Sequence, residues 1–169
     1  ALQILRGLGV PAFATASSGK LEGIRDLGAR AIDRRSEDFA AIVLEETDGR
    51  GIDVIVDPVG GEYLADNLKA LAPGGRLVVI GLLGGPTAEL NLQRLLMKRQ
   101  RIVGSVLRSR SVAEKIAITQ RLVSDVWRWV EDGQIQPVID QVYSIEDAND
   151  AQTRMRANLN FGKIILRVP

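Results

Sequence analysis

Short apolar runs alternate with amphipathic stretches along the whole chain. Residues 10–14, 29–32, 52–56, 76–80, 102–107, 142–143 and 163–168 are short, mainly apolar runs, the pattern of strands. Between them, residues 20–27, 37–47, 62–71, 91–98, 112–131 and 145–157 repeat their apolar positions with helical spacing. Gly28, the Asp48-Gly49-Arg50-Gly51 turn and Pro73-Gly74-Gly75 punctuate the pattern. The run at 52–56 is β-branched almost throughout, as in a strand covered on both faces.

Strands separated by helices of about ten residues imply right-handed βαβ crossovers and a parallel sheet. The predicted fold is α/β, a doubly wound parallel sheet of the Rossmann-like kind. A barrel would take eight such repeats and roughly 200 residues or more, and this chain has 169.

Ligands of such sheets bind beyond the carboxyl ends of the strands. Three of these ends are rich in glycine or small polar residues: TASSGK (15–20), DPVGG (57–61) and GLLGG (81–85). One alone is ordinary loop punctuation; three at one edge point to a nucleotide cleft. In dinucleotide-binding sheets an acid after the second strand accepts the ribose hydroxyls. Here that place holds Ser17, Ser18 and Lys20, with no carboxylate until Glu22. Arg34 and Arg35 follow the neighbouring strand. Hydroxyls and cations suit a phosphate, which a carboxylate would repel. Asp57 has two open roles, binding a sugar hydroxyl or capping the next helix through amides near Gly61 and Glu62. Trp127 and Trp129, two apart on a helix, face different directions.

Composition narrows the chemistry. The chain is 46% apolar and 25% charged, with a net charge of +1, so it has no basic surplus for nucleic acid or a membrane surface. Cysteine and histidine are both absent, which removes zinc sites built from them, disulfides and histidine acid–base catalysis from these residues. No apolar run reaches the roughly 18 residues of a membrane span, and a cytoplasmic location is the default expectation. The chain opens directly in the helical pattern Leu2, Ile4, Leu5, Leu8, and no G-x-G-x-x-G loop precedes its first strand. The expectation is a C-terminal fragment lacking the first strand and phosphate loop. Its sheet should then be interrupted between the first and third strands seen here.

The ordered set TASSGKLE, LGARAID, DVIVDPVGG, LAPGGRLVVIGLLGG, IVGSVLRSRS and NFGKIILRV resembles the medium-chain dehydrogenase/reductases. The branch it is most similar to is the zinc-free quinone oxidoreductases of the p53-inducible type. The resemblance implies hydride transfer from NADPH to a quinone or another activated alkene such as an enone. It implies that Ser17 belongs to the cofactor site and that Ser18 and Lys20 meet the adenosine 2′-phosphate, with Arg34 where relatives carry a tyrosine. Asp57, Val59 and Gly60 would border the ribose and pyrophosphate, and Gly81, Leu82 and Leu83 the nicotinamide ribose. The backbone of Val106 and Leu107 would hold the carboxamide, and Phe161, Gly162 and Lys163 would approach the phosphates. No catalytic acid or base and no metal ligand is implied. Residues 1–133 would be a partial dinucleotide-binding domain. Residues 134–169 would return to a GroES-like substrate domain not present in the chain, leaving the segment inactive alone. The strand at 102–107 would pair across a homodimer axis.

Three other readings share parts of the pattern. An enoyl-thioester reductase has the same fold and cofactor. An S-adenosylmethionine methyltransferase would explain DVIVDPVGG and LAPGGRLVVIG, and requires an antiparallel hairpin at the sheet edge and an acid after the second strand. A nucleotide-sensing domain would bind NADPH without turnover.

Overall fold

The computed structural model describes all residues, Ala1–Pro169. It contains seven strands and eight α-helices in alternation. The chain divides into two compact units, one of Ala1–Ala14, Gly19–Ala31 and Gln120–Pro169, the other of Thr15–Ser18 and Ile32–Thr119. The strands form three sheets: β1 (Phe13–Ala16) with β2 (Arg30–Asp33), then β3 (Ile52–Asp57), β4 (Leu71–Val79) and β5 (Arg101–Gly104), and finally β6 (Ile139–Ser144) with β7 (Lys163–Arg167). Every described register in the second and third sheets is parallel. In the first, the Arg30 amide bonds to the Ala12 carbonyl and the Arg34 amide to the Ala16 carbonyl, so both strands run the same way. The parallel α/β expectation holds, and β1 and β3 fall in separate sheets.

The second unit is built around β4. Leu68, Leu71 and Leu77 are almost completely buried and pack with Ile55, Leu64 and Val79. Helix α4 (Leu64–Ala70) runs straight into β4, because Leu71 takes extended dihedrals of φ −68° and ψ 136° directly after Ala70. The carbonyls released at that junction are covered from the segment after α5 (Leu92–Lys98). Gln100 Nε2 donates to the Leu68 and Leu71 carbonyls at 2.9 and 3.0 Å, and Lys98 Nζ to Leu71 at 3.1 Å. Burial, with Arg94 nearby, holds the Lys98 ammonium below the ordinary lysine range. Helix α3 (Phe39–Glu45) is capped by Asp38, which accepts from the Ala41 amide at 3.0 Å.

Several expectations shift. The first strand starts at Phe13 rather than at residue 10, because the Val10 amide closes the end of α1 (Leu2–Gly7) on the Leu5 carbonyl and Pro11 has no amide to give. The predicted turn at 73–75 lies inside β4, where the register against β3 is irregular between Ile52 and Val54. The single helix predicted over 112–131 is two, α6 (Val112–Asp125) and α7 (Trp127–Glu131), broken at Val126. Just before the break, Ser124 Oγ bonds both the Arg121 carbonyl and Asp125, competing with the helical backbone. The strand at 52–56 is not covered on both faces: it is an edge of its sheet, with Val54 and Val56 exposed.

The first unit has its own supports. Gln3 exchanges two hydrogen bonds with the Gln136 backbone, and Gly7 lies against the Trp129 ring. Trp129 is half-buried and Trp127 exposed, as their offset around the helix requires. Helix α2 (Leu21–Asp26) follows a 3-10 turn over Ser18–Lys20, and helix α8 (Ala148–Arg156) lies between β6 and β7.

Candidate functional site

In the second unit, Asp57, Val79 and Gly104 stand abreast at the ends of β3, β4 and β5, so the loops after these strands leave from one edge. Asp57 is buried, and its carboxylate accepts from the Val59 amide at 2.7 Å, the Gly60 amide at 3.1 Å and Asn67 Nδ2 at 3.0 Å. Of its two possible roles, loop and helix anchoring is the one made here, through amides one or two residues earlier than expected. Gly60 has φ +83°, a conformation that glycine alone adopts without cost.

The glycines of DPVGG and GLLGG serve each other. The Gly61 amide donates to the Gly85 carbonyl at 2.9 Å, and the Gly84 amide to the Val59 carbonyl at 2.7 Å. A Cβ on Gly81 would stand 2.6 Å from the Pro58 carbonyl oxygen, and one on Gly61 would collide with that of Thr87. The two loops therefore form one knitted ledge. Four apolar side chains of the loops after these strands are exposed: Leu82 and Leu83 after β4, and Val106 and Leu107 after β5.

Also in this unit, Ser17 and Ser18 follow β1, while Asp33 ends β2 and Arg34 and Arg35 follow it. The expectation of a strand end without an acid is corrected. Asp33 is buried and takes a short hydrogen bond from Ser18 Oγ, while its other oxygen accepts from the Arg35 amide at 2.9 Å. Asp33 was invisible to a reading along one strand because it arrives from the neighbour, and strands ending abreast share their terminal residues. The Ser18 hydroxyl and the Arg35 amide hold the Asp33 carboxyl below the usual carboxylate range, with the nearby guanidinium groups adding to the effect. Its charge is thus engaged by the protein, and Arg34 and Arg35 remain exposed.

The first unit carries the remaining predicted residues. Lys20 Nζ donates to Asn158 Oδ1 at 2.6 Å. The Phe161 ring lies so close to Gly23 that a Cβ there would collide with it. The Phe161 amide donates to Asp140 at 3.0 Å, and the Lys163 amide to the Val138 carbonyl at 2.8 Å. Asp140 also binds Arg154 in bidentate fashion, at 2.6 and 3.0 Å, and its carboxyl is pulled down to about 2 by Arg154 first and the Phe161 amide second. Asn158 and Asp140 were not singled out from the sequence; their partners lie on other elements, and neither residue belongs to a motif.

Parallel strands with helices between them, and a glycine ledge at their carboxyl ends, define a Rossmann-like α/β fold. Residues 27–166 match the zinc-binding dehydrogenase family, and the chain belongs to that family, within the medium-chain dehydrogenase/reductases. Over 172 residues it is 33% identical to a quinone oxidoreductase of Pseudomonas aeruginosa, covering 98% of this chain and 51% of that protein. It is 30% identical over 171 residues to a phenolphthiocerol/phthiocerol polyketide synthase component of Mycobacterium tuberculosis, covering 100% of this chain and 8% of that one. The crystal structure of a quinone oxidoreductase from Pseudomonas syringae superposes with a TM-score of 0.82 at 32% identity, over 100% of this chain and 52% of the other. The chain thus spans about half the length of the two quinone oxidoreductases. The methyltransferase reading falls: no described strand pair is antiparallel, and the family is a different one. No helix is long and apolar enough to cross a membrane.

Proposed function

We propose that the chain is the cofactor-binding portion of an NADPH-dependent oxidoreductase that reduces a quinone or another activated alkene. The observation that carries the cofactor choice is the end of β2, where two exposed guanidinium groups stand beside a carboxylate already engaged by Ser18 and the Arg35 amide. A guanidinium matches a phosphate bidentately. Taken by itself, the first unit offers Lys20, Phe161, Gly162 and Lys163 to a phosphate.

A nicotinamide dinucleotide is supported by Gly60 at φ +83°, by Gly81, where a Cβ would meet the Pro58 carbonyl, and by the exposed apolar surface that Leu82, Leu83, Val106 and Leu107 offer a flat ring. When bound, the nicotinamide supplies a hydride. The chain's own part is to seat the ring, keep water from it and balance the phosphate charge; no side chain here is needed as acid or base. Residues 134–169 are proposed to contact a substrate-binding domain. Strand β5, exposed along its whole length, is proposed to pair with its copy in a homodimer; a monomeric mass in solution would overturn that.

A second reading, an enoyl-thioester reductase, is favoured by the likeness to a polyketide synthase along the whole chain. Calorimetric titration of the full-length protein with NADPH and NADH tests the cofactor: tighter binding of NADPH is expected, and equal affinities would overturn it. Turnover of a quinone against an enoyl thioester separates the two substrates.

A further inference from the structure

We infer that Asn158 is a specificity-determining residue for the cofactor, a neutral acceptor that fixes the Lys20 ammonium while leaving its charge available to a phosphate. The inference rests on the NADPH reading above and adds a residue to it. Lysine carries a compact charge on a flexible stem, so an unheld ammonium is a poor partner for one phosphate position. Here the stem is half-buried and Nζ is tied to Asn158 Oδ1 at 2.6 Å.

The anchor itself is fixed. Asn158 follows the α8 cap residue Ala157, has φ +55°, and closes the helix through its amide on the Met155 carbonyl at 3.0 Å. Only Gly, Asn and Asp adopt that conformation readily. Glycine would offer no acceptor, and aspartate would neutralise the ammonium. Asparagine is the one of the three that holds it without adding a countercharge.

The neighbouring acid does not undo this. Asp140 lies near enough for Lys20 to help lower its pKa, yet its oxygens are taken by Arg154 and by the Phe161 amide. Two cations, Lys20 and Arg154, therefore face one carboxylate. The loop from Asn158 to Lys163 meets α2 through the Phe161 ring, which sits on Gly23.

The test measures NADPH and NADH affinities of the full-length protein and its Lys20→Met, Asn158→Gly and Asn158→Asp variants. Loss of a hydrogen bond to a charged group should weaken NADPH binding about tenfold in Asn158→Gly. The loss should be larger in Asn158→Asp, while NADH affinity stays as in the parent. Asn158→Gly keeps the backbone conformation and carries the test if Asn158→Asp does not fold. If Lys20→Met abolishes the NADPH preference while both Asn158 variants retain it, the role of Asn158 is overturned and the cofactor reading stands. Equal weakening of both cofactors in the Asn158 variants would also overturn it, as a merely structural effect. A parent protein without NADPH preference brings down the cofactor reading and this inference with it, whereas a silent Lys20→Met in an NADPH-preferring parent overturns this inference alone.

Discussion

Two withdrawn aspartates hold two corners of the molecule in opposite ways. Asp57, at the end of β3, is 3% exposed and bound only by neutral donors, all within ten residues of it in the chain. Asp140, on β6, has a side chain 8% exposed and is matched by a guanidinium 14 residues on and an amide 21 residues on. The first shapes a loop from its own neighbourhood. The second ties three separate segments together and brings a countercharge with it. A carboxylate held by neutral dipoles depends on every one of them, whereas a charge-matched pair tolerates more.

That contrast can be broken in order of size. Asp57→Ala leaves three donors without an acceptor in a closed pocket and should cost about 3 kcal/mol or more. Urea denaturation measures it, and a loss below about 1 kcal/mol would mean that the loop relaxes without its anchor. Gly61→Ala comes next, at about 2 kcal/mol, because its methyl meets the Thr87 carbonyl. Gly49→Ala, with φ +77° but open space around it, should cost only about 1 kcal/mol.

Asp140→Asn should be milder than Asp57→Ala at neutral pH and should show itself in acid. The Asp140 carboxyl titrates near about 2 in the folded chain against an ordinary 3.8. Its contribution is complete above the unfolded value and is lost as pH falls through the folded one. The thermal midpoint of the parent should therefore drop between these values more steeply than that of the variant; parallel curves would refute the assignment. Least of all, Arg121→Ala on α6 should leave the midpoint unchanged, since its pair with Asp125 lies in water, with side chains 85% and 54% exposed.

The same contrast explains what could be read from the sequence. Strand and helix order was legible because periodicity is local, and the ends of β3 and α5 needed only their own residues. Asp57 was legible as a strand-end acid with two open roles, anchoring among them, because its donors follow it closely in the chain. Asp33, Asn158 and Asp140 were not, because each meets its partner across strands or after a loop, where spacing carries no signal. The break at Val126 was hidden by an unbroken apolar period, and only the Ser124 hydroxyl marks it. The glycines after β3 and β4 were rightly placed at one edge, whereas TASSGK follows β1 in a separate sheet; nor could the sequence tell amides aimed at a ligand from amides aimed at one another.

The junction at Ala70 and Leu71 sets how this domain can change length. With no connecting residue between α4 and β4, a single inserted residue has nowhere to go. Either it turns α4 by a fraction of a turn, carrying Leu68 out of the core, or it slips β4 by one place and sends Leu71 and Leu77 to the opposite face. The carbonyls capped by Lys98 and Gln100 would move in both cases. Insertions at Gly49, where the turn faces open space, meet none of this. Descendants of this sequence are free to lengthen at the turn before β3 and are held to a fixed count at the start of β4.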